Sequence, residues 1–182
     1  MHRQDRNAEG ELLADDADPL AARLLACAAA ASQAATFDPM DRAVLARSGA
    51  AAPGTSLRTY PLGAVPMFAQ VFARASDGVR VAGAKGAPEV VLAACAVDAD
   101  TRDTLLDLIG DMAARGLRVL GVARAELPPD APWPDTVDGF AWTWQGLVGF
   151  ADPLRADVPE AVAEARSAGI RVLMLTGDHA ET

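Results

Sequence analysis

Apolar and polar residues alternate along this chain with changing period, and each period predicts a different kind of element. Residues 19 to 34 are nearly all apolar and rich in alanine, which predicts a helix. In FDPMDRAVLARSG, Asp38 sits as an N-cap and Pro39 as the first helical residue. Asp41 falls where an acidic side chain suits the helix dipole, and Gly49 stops the helix. Residues 65 to 73 and 79 to 84 are strand-like runs joined by ASDG, a hairpin signal. Pro88 opens a helix that ends near Cys95. Asp100 or Thr101 caps the next helix, whose stripe of Leu105, Leu108, Ile109 and Met112 ends at Gly116. LRVLGVARAEL reads as a strand, and so does FAWTWQGLVGFA after the proline-rich loop LPPDAPWP. Strands linked this way predict an α+β fold with a mostly antiparallel sheet flanked by helices.

The pattern changes again at Asp152. DPLRADVPEAVAEARSAG predicts a helix entered through proline, with Asp157 and Glu160 spaced as a capping box. IRVLML is an unbroken apolar run that predicts a strand buried on both faces, and it ends in TGD. Helix, glycine turn, apolar strand and polar tip make half of a βαβ unit, a partial α/β segment. The polar, acidic residues 1 to 18 are expected to be flexible. The expected division is therefore 1–18 as a flexible segment, 19–148 as one domain, and 149–182 as a hinge leading into a second.

Composition narrows the function. The chain has 182 residues and a net charge of −9. No two basic residues are adjacent, which argues against nucleic acid, because phosphate-backbone binding needs clustered cations. A single phosphate site, needing one or two cations, remains open. Cys27 and Cys95 have no CxxC spacing and read as reduced thiols. With only His2 and His179, no metal site is expected. No apolar run approaches the roughly 20 residues that cross a bilayer, and no apolar signal region stands at the N-terminus.

Three places could carry chemistry. Lys85 is the only lysine among 16 basic residues. It ends a strand-like run and is followed by Gly86. A lysine is a compact charge on a thin stem and reaches a phosphate or ring nitrogen where a guanidinium does not fit. Glycine lets a ligand approach the backbone. A solvated lysine at a strand end is the plainer alternative. Arg118 alternates with apolar neighbours in LRVLGVA, as a second phosphate contact or as a surface arginine. Thr176 and Asp178, at the tip of IRVLMLTGD, suit a phosphoryl oxygen, although T-G-D ends many α/β strands.

KGAPE, LRVLGVA, GFADPLR and AGIRVLMLTGD, in this order and spacing, resemble the P-type cation-transporting ATPases over residues 36 to 182. The resemblance implies a nucleotide-binding domain inserted into a phosphorylation domain of haloacid-dehalogenase type, with the chain returning to the latter near residue 149. It implies that Lys85 and Gly86 line the adenosine pocket, that Arg118 reaches the phosphates, and that Asp38 and Asp41 lie near the adenine. Asp152 and Arg155 match the hinge. Thr176 and Asp178 match the residues that meet the phosphoryl group. The family's adenine-stacking aromatic corresponds to Leu62 here, and its following lysine to Met67. Tyr60 and Phe68 are candidate replacement rings.

The resemblance thus implies an ATP-binding cytosolic piece of a bacterial inner-membrane pump. Its ligand would be ATP, with Mg2+ in the complete parent, and its partners the parent's phosphorylation, actuator and membrane domains. DKTGT, which carries the phosphorylated aspartate, and GDGxND are not in the sequence. This chain alone is therefore expected to bind ATP weakly and not to hydrolyse it. A non-catalytic regulatory or interaction module on the same fold is the alternative. A free-standing phosphatase is disfavoured, because no DxD follows a suitable apolar strand. The apolar tail after Phe150 is expected to be ordered through a non-native or intermolecular contact and to drive self-association.

Overall fold

A computed structural model describes residues 11–12, 19–49, 55–151 and 157–173. The alternating runs form β1 (Glu11–Leu12), β2 (Arg58–Tyr60), β3 (Met67–Ala73), β4 (Arg80–Gly86), β5 (Leu117–Leu127) and β6 (Thr143–Ala151). The helices are α1 (Pro19–Ala30), α2 (Pro39–Ser48), α3 (Pro88–Ala94), α4 (Ala99–Ala114) and α5 (Val158–Ser167). The six strands make one sheet in the order β1-β6-β5-β4-β3-β2, every ladder antiparallel. The expected α+β architecture is therefore present.

Successive strand residues point to opposite faces, and the two faces carry separate cores. On one, Met67, Ala69 and Val71 of β3 and Ala82 and Ala84 of β4 join Val91 of α3 and Cys95. Phe140 and Trp142 complete this core. On the other, Leu25, Cys27 and Ala28 of α1 and Val44 of α2 pack on Val122, Val148 and Phe150. Alanine at most helix positions in contact lets α1 lie close to the sheet.

The proline-rich loop is pinned by side chains. Arg80 lies over the Trp133 ring at 4.4 Å and donates to the Ala131 carbonyl at 2.7 Å. Arg58 lies over the same ring at 5.6 Å, and the Tyr60 hydroxyl donates to the Pro134 carbonyl at 2.8 Å.

The structure departs from the sequence expectations at several ends. The polar N-terminal stretch supplies an edge strand, with Glu11 and Leu12 facing Ala151 and Phe150. The α4 cap is Asp98, not Asp100 or Thr101. Its carboxylate accepts from the Thr101 N–H at 2.9 Å and the Thr101 hydroxyl at 2.8 Å, so Thr101 is the capped residue. Of the α4 stripe only Ile109 is buried, and Leu108 is exposed. Asp157 has a helical backbone and makes no capping hydrogen bond with its side chain. Ile170, Arg171, Val172 and Leu173 are not in a strand, and all four are exposed. The expected buried strand is absent there because no described neighbouring strand offers a ladder to residues 170–173.

Candidate functional site

Lys85 lies near the end of β4 on the α1/α2 face of the sheet. Its Cα partners are Phe68 on β3 and Val122 on β5. Its ammonium donates to Ser32 Oγ at 2.9 Å and forms an ion pair with Asp41 Oδ1. The pair is well shielded, with Lys85 12% and Asp41 8% exposed. Lys85 is therefore not a solvated strand end.

The corner between α1 and α2 is built around this pair. Asp38 caps α2 by accepting from the Met40 N–H at 2.8 Å, which fixes the first turn and brings Asp41 inward. The second Asp41 oxygen accepts from the Gln33 N–H at 3.0 Å. Ser32 donates its hydroxyl to the Ala28 carbonyl at 2.9 Å, and the Gln70 amide donates to the Ser32 carbonyl at 3.4 Å. Burial lowers the Lys85 amine to about 8, and the charge of Asp38 acts in the opposite direction.

Gly86 has a packing role within the chain. A Cβ there would run into the Pro66 carbonyl and meet the Met67 Cα at 2.8 Å. The Ala87 N–H donates to the same Pro66 carbonyl at 3.2 Å. The close approach that glycine permits is thus between two segments of this chain.

Arg118 stands on the same sheet face as Lys85. It is exposed, with Phe150 as its Cα partner. Four residues separate it from Val122, roughly 13 Å at the rise of a strand. Lys85 and Arg118 thus stand at two ends of one sheet face, with Val122 and Leu120 between them packed in the α1/α2 core.

Asp38 and Asp41 join the Lys85 corner. Leu62 is 66% exposed in the loop before β3 and is not part of that corner. Met67 is fully buried in the opposite core, so it cannot serve where a lysine would. Tyr60 is also excluded as a stacking ring, since it is buried edge-on against Phe140 at 5.1 Å. Phe68, directly across from Lys85, is also buried, at 8% exposed. Asp152, Arg155, Thr176 and Asp178 lie outside the described residues.

Sequence reasoning missed Ser32. The available signal was a lone hydroxyl ending the alanine run AAAASQ. Among the described residues no three His, Cys, Asp or Glu side chains gather as a metal site, and no helix is long and apolar enough to cross a membrane.

Comparison with known proteins places this arrangement. Residues 67–157 match the family described as P-type ATPase, cytoplasmic domain N. Plasma membrane ATPase 1 of Schizosaccharomyces pombe is 34% identical over 166 residues, covering 85% of this chain and 17% of that protein. The sodium/potassium-transporting ATPase subunit alpha-1 of Oreochromis mossambicus is 36% identical over 117 residues, 52% of this chain and 11% of the relative. Calcium-transporting ATPase 3, plasma membrane-type, of Oryza sativa subsp. japonica is 37% identical over 109 residues, 54% of this chain and 11% of the relative. The chain spans no more than about a sixth of these proteins' length. With half of its residues matched to the family, the chain belongs to the P-type ATPases as their cytoplasmic N domain.

Proposed function

We propose that this domain holds ATP on the α1/α2 face of the sheet for a cation-transporting parent. The adenosine end lies by the Asp41–Lys85 corner, and the phosphates reach toward the exposed Arg118. The γ-phosphoryl group then goes to an aspartate on another part of the parent, where Thr176 and Asp178 meet it. Asp152 and Arg155 form the hinge between the two parts. Mg2+ accompanies the triphosphate in the complete parent. The alanine- and arginine-rich composition supports a bacterial source for that parent.

The observation that carries this reading is the buried ion pair itself. Keeping two charges out of water costs several kcal/mol per ion before their attraction is counted, so stability alone is a weak reason to have one. It shares a sheet face with the exposed Arg118, roughly 13 Å away along β5.

Titration calorimetry with ATP and with adenosine tests the assignment. Binding of ATP at roughly millimolar concentration is expected, near −4 kcal/mol. Arg118→Ala should weaken ATP about tenfold, as the loss of a charge-assisted hydrogen bond does, and leave adenosine unchanged. Lys85→Ala should weaken both. If both variants bind ATP like the parent chain, the nucleotide does not sit on this face.

A second reading has its own support. Asp41 and Ser32 already occupy the Lys85 ammonium, Met67 is turned into the core and Leu62 is far from buried. These favour an interaction module with little nucleotide affinity, and it would show no heat with ATP at any reachable concentration. The exposed Ile170, Val172 and Leu173 support self-association through the tail.

A further inference from the structure

A cleft of about 230 Å³ opens beside α1, on the same sheet face as Lys85 but distinct from its corner. Helix α1 crosses β4 at Gly83, where a Cβ would meet the Cys27 carbonyl oxygen at 3.0 Å and the Ala30 Cβ at 3.1 Å. The cleft extends from that crossing toward Val81, whereas Lys85 lies two residues on in the other direction.

The lining is mostly apolar, with Ala26 and Cys27 from α1 beside Gly83. Arg23 of α1, Arg124 of β5 and Gln145 of β6 supply its polar groups, and no acidic side chain lines it. In a chain of net charge −9 that is a local reversal of sign. Arg124 is bonded to Glu126, but the same Glu126 oxygen also accepts from Arg74 at 3.0 Å. Arg74 is itself held by Asp77 at 2.7 Å, so two carboxylates serve these two guanidinium groups, and Arg23 supplies the cleft's net positive charge.

Gln145 is an inserted residue. The β5–β6 register passes from Val122↔Gly146 to Ala123↔Trp144, which leaves Gln145 with no Cα partner. Such bulges re-aim a side chain. Burial pushes the Cys27 thiol up to about 11 against the opposing charges of Arg124 and Arg23. The thiol is therefore part of the floor and not a nucleophile, and both guanidinium charges reach the cleft.

We propose that this cleft binds a small amphipathic anion, a carboxylate on a short alkyl chain. Arg23 and Arg124 hold the head, and the Ala26, Cys27 and Gly83 surface takes the chain. The volume falls below the roughly 300–1,000 Å³ of drug-sized sites, which favours a free short-chain acid over a larger ligand. Charge complementarity selects the head, and the apolar floor selects the tail.

The test is an amide NMR titration of the full chain with sodium octanoate. Saturable shifts at Cys27, Gly83 and Gln145 are expected, with acetate and hexanol, which each lack one half of the ligand, binding at least tenfold more weakly. Arg124→Gln should weaken octanoate about tenfold. Ala26→Leu should fill the cleft from its exposed side and abolish binding while the melting curve stays unchanged. Phosphatidylglycerol vesicles provide the lipid-bound form of an apolar anion, and no shift at these amides is expected with them. Acetate binding as tightly as octanoate, vesicles shifting these amides when octanoate does not, or Ala26→Leu binding like the parent chain would each overturn the proposal.

Discussion

At Lys85 the need for a slim cation has a visible cause. The ammonium meets Asp41 and Ser32 inside a closed corner, whereas a guanidinium brings five N–H donors that need more acceptors than those two side chains supply. Lys85→Arg should therefore disrupt the corner. Burial also sets a pH dependence. Below about pH 8 the amine is charged in both the native and the unfolded chain. Between about 8 and its ordinary 10.5 the native chain has released a proton that the unfolded chain still holds. The unfolded state then binds more protons, so this group's contribution to stability rises with pH across that window. Nucleotide binding should move the opposite way, falling as pH rises through about 8, because the corner that receives the adenosine end loses its ion pair. ATP titrations from about pH 6.5 to about 9.5, beside melting curves, check both signs. Lys85→Met should remove the step in each.

Among the elements, two glycines in regular structure make opposite predictions. At Gly86 an added methyl meets the backbone of Pro66 and Met67, which cannot swing aside. Gly86→Ala should cost about 1–3 kcal/mol of overpacking. At Gly110, inside α4, an added methyl meets nothing within 4 Å. Gly110→Ala should stabilise by about 0.5–1 kcal/mol. Urea unfolding of the two variants measures both, and equal effects would mean that the β4–Pro66 contact is not tight. The contrast also shows what is legible from sequence. Strands β3 to β6 and the caps at Asp38 and Gly49 can be read locally, because period and turn chemistry are properties of neighbours. The approach of Pro66 to Gly86 cannot, and neither can the bond from Lys85 to Ser32, 53 residues upstream. Tyr60 reads from sequence as a possible stacking ring, and only the packing of Phe140 shows that it is taken. At the α4 start three acidic or hydroxyl residues compete for one cap, and the carboxylate of Asp98 reaches Thr101 first.

For the whole molecule, the residues described after β6 are the least packed. Residues 157–173 contain no buried side chain, and Ile170, Val172 and Leu173 stay exposed. Because residues 157–173 bury no side chain, ending the chain after Ala151 should leave the sheet domain folded, with stability changed by less than about 0.5 kcal/mol. The full chain should associate with rising concentration and the shortened one should not. Sedimentation velocity over a concentration series decides this. A full chain that stays monomeric would refute the role given to the tail, and a lower melting temperature after truncation would place the tail inside the domain. The two cores also differ in a way that experiment can use. Each holds one buried free cysteine, Cys27 on α1 and Cys95 just after α3. A thiol reagent reaches Cys95 only when its helical layer lifts, whereas Cys27 also borders the cleft beside α1, so the two labelling rates in unmodified protein compare an opening of the sheet with access through that cleft.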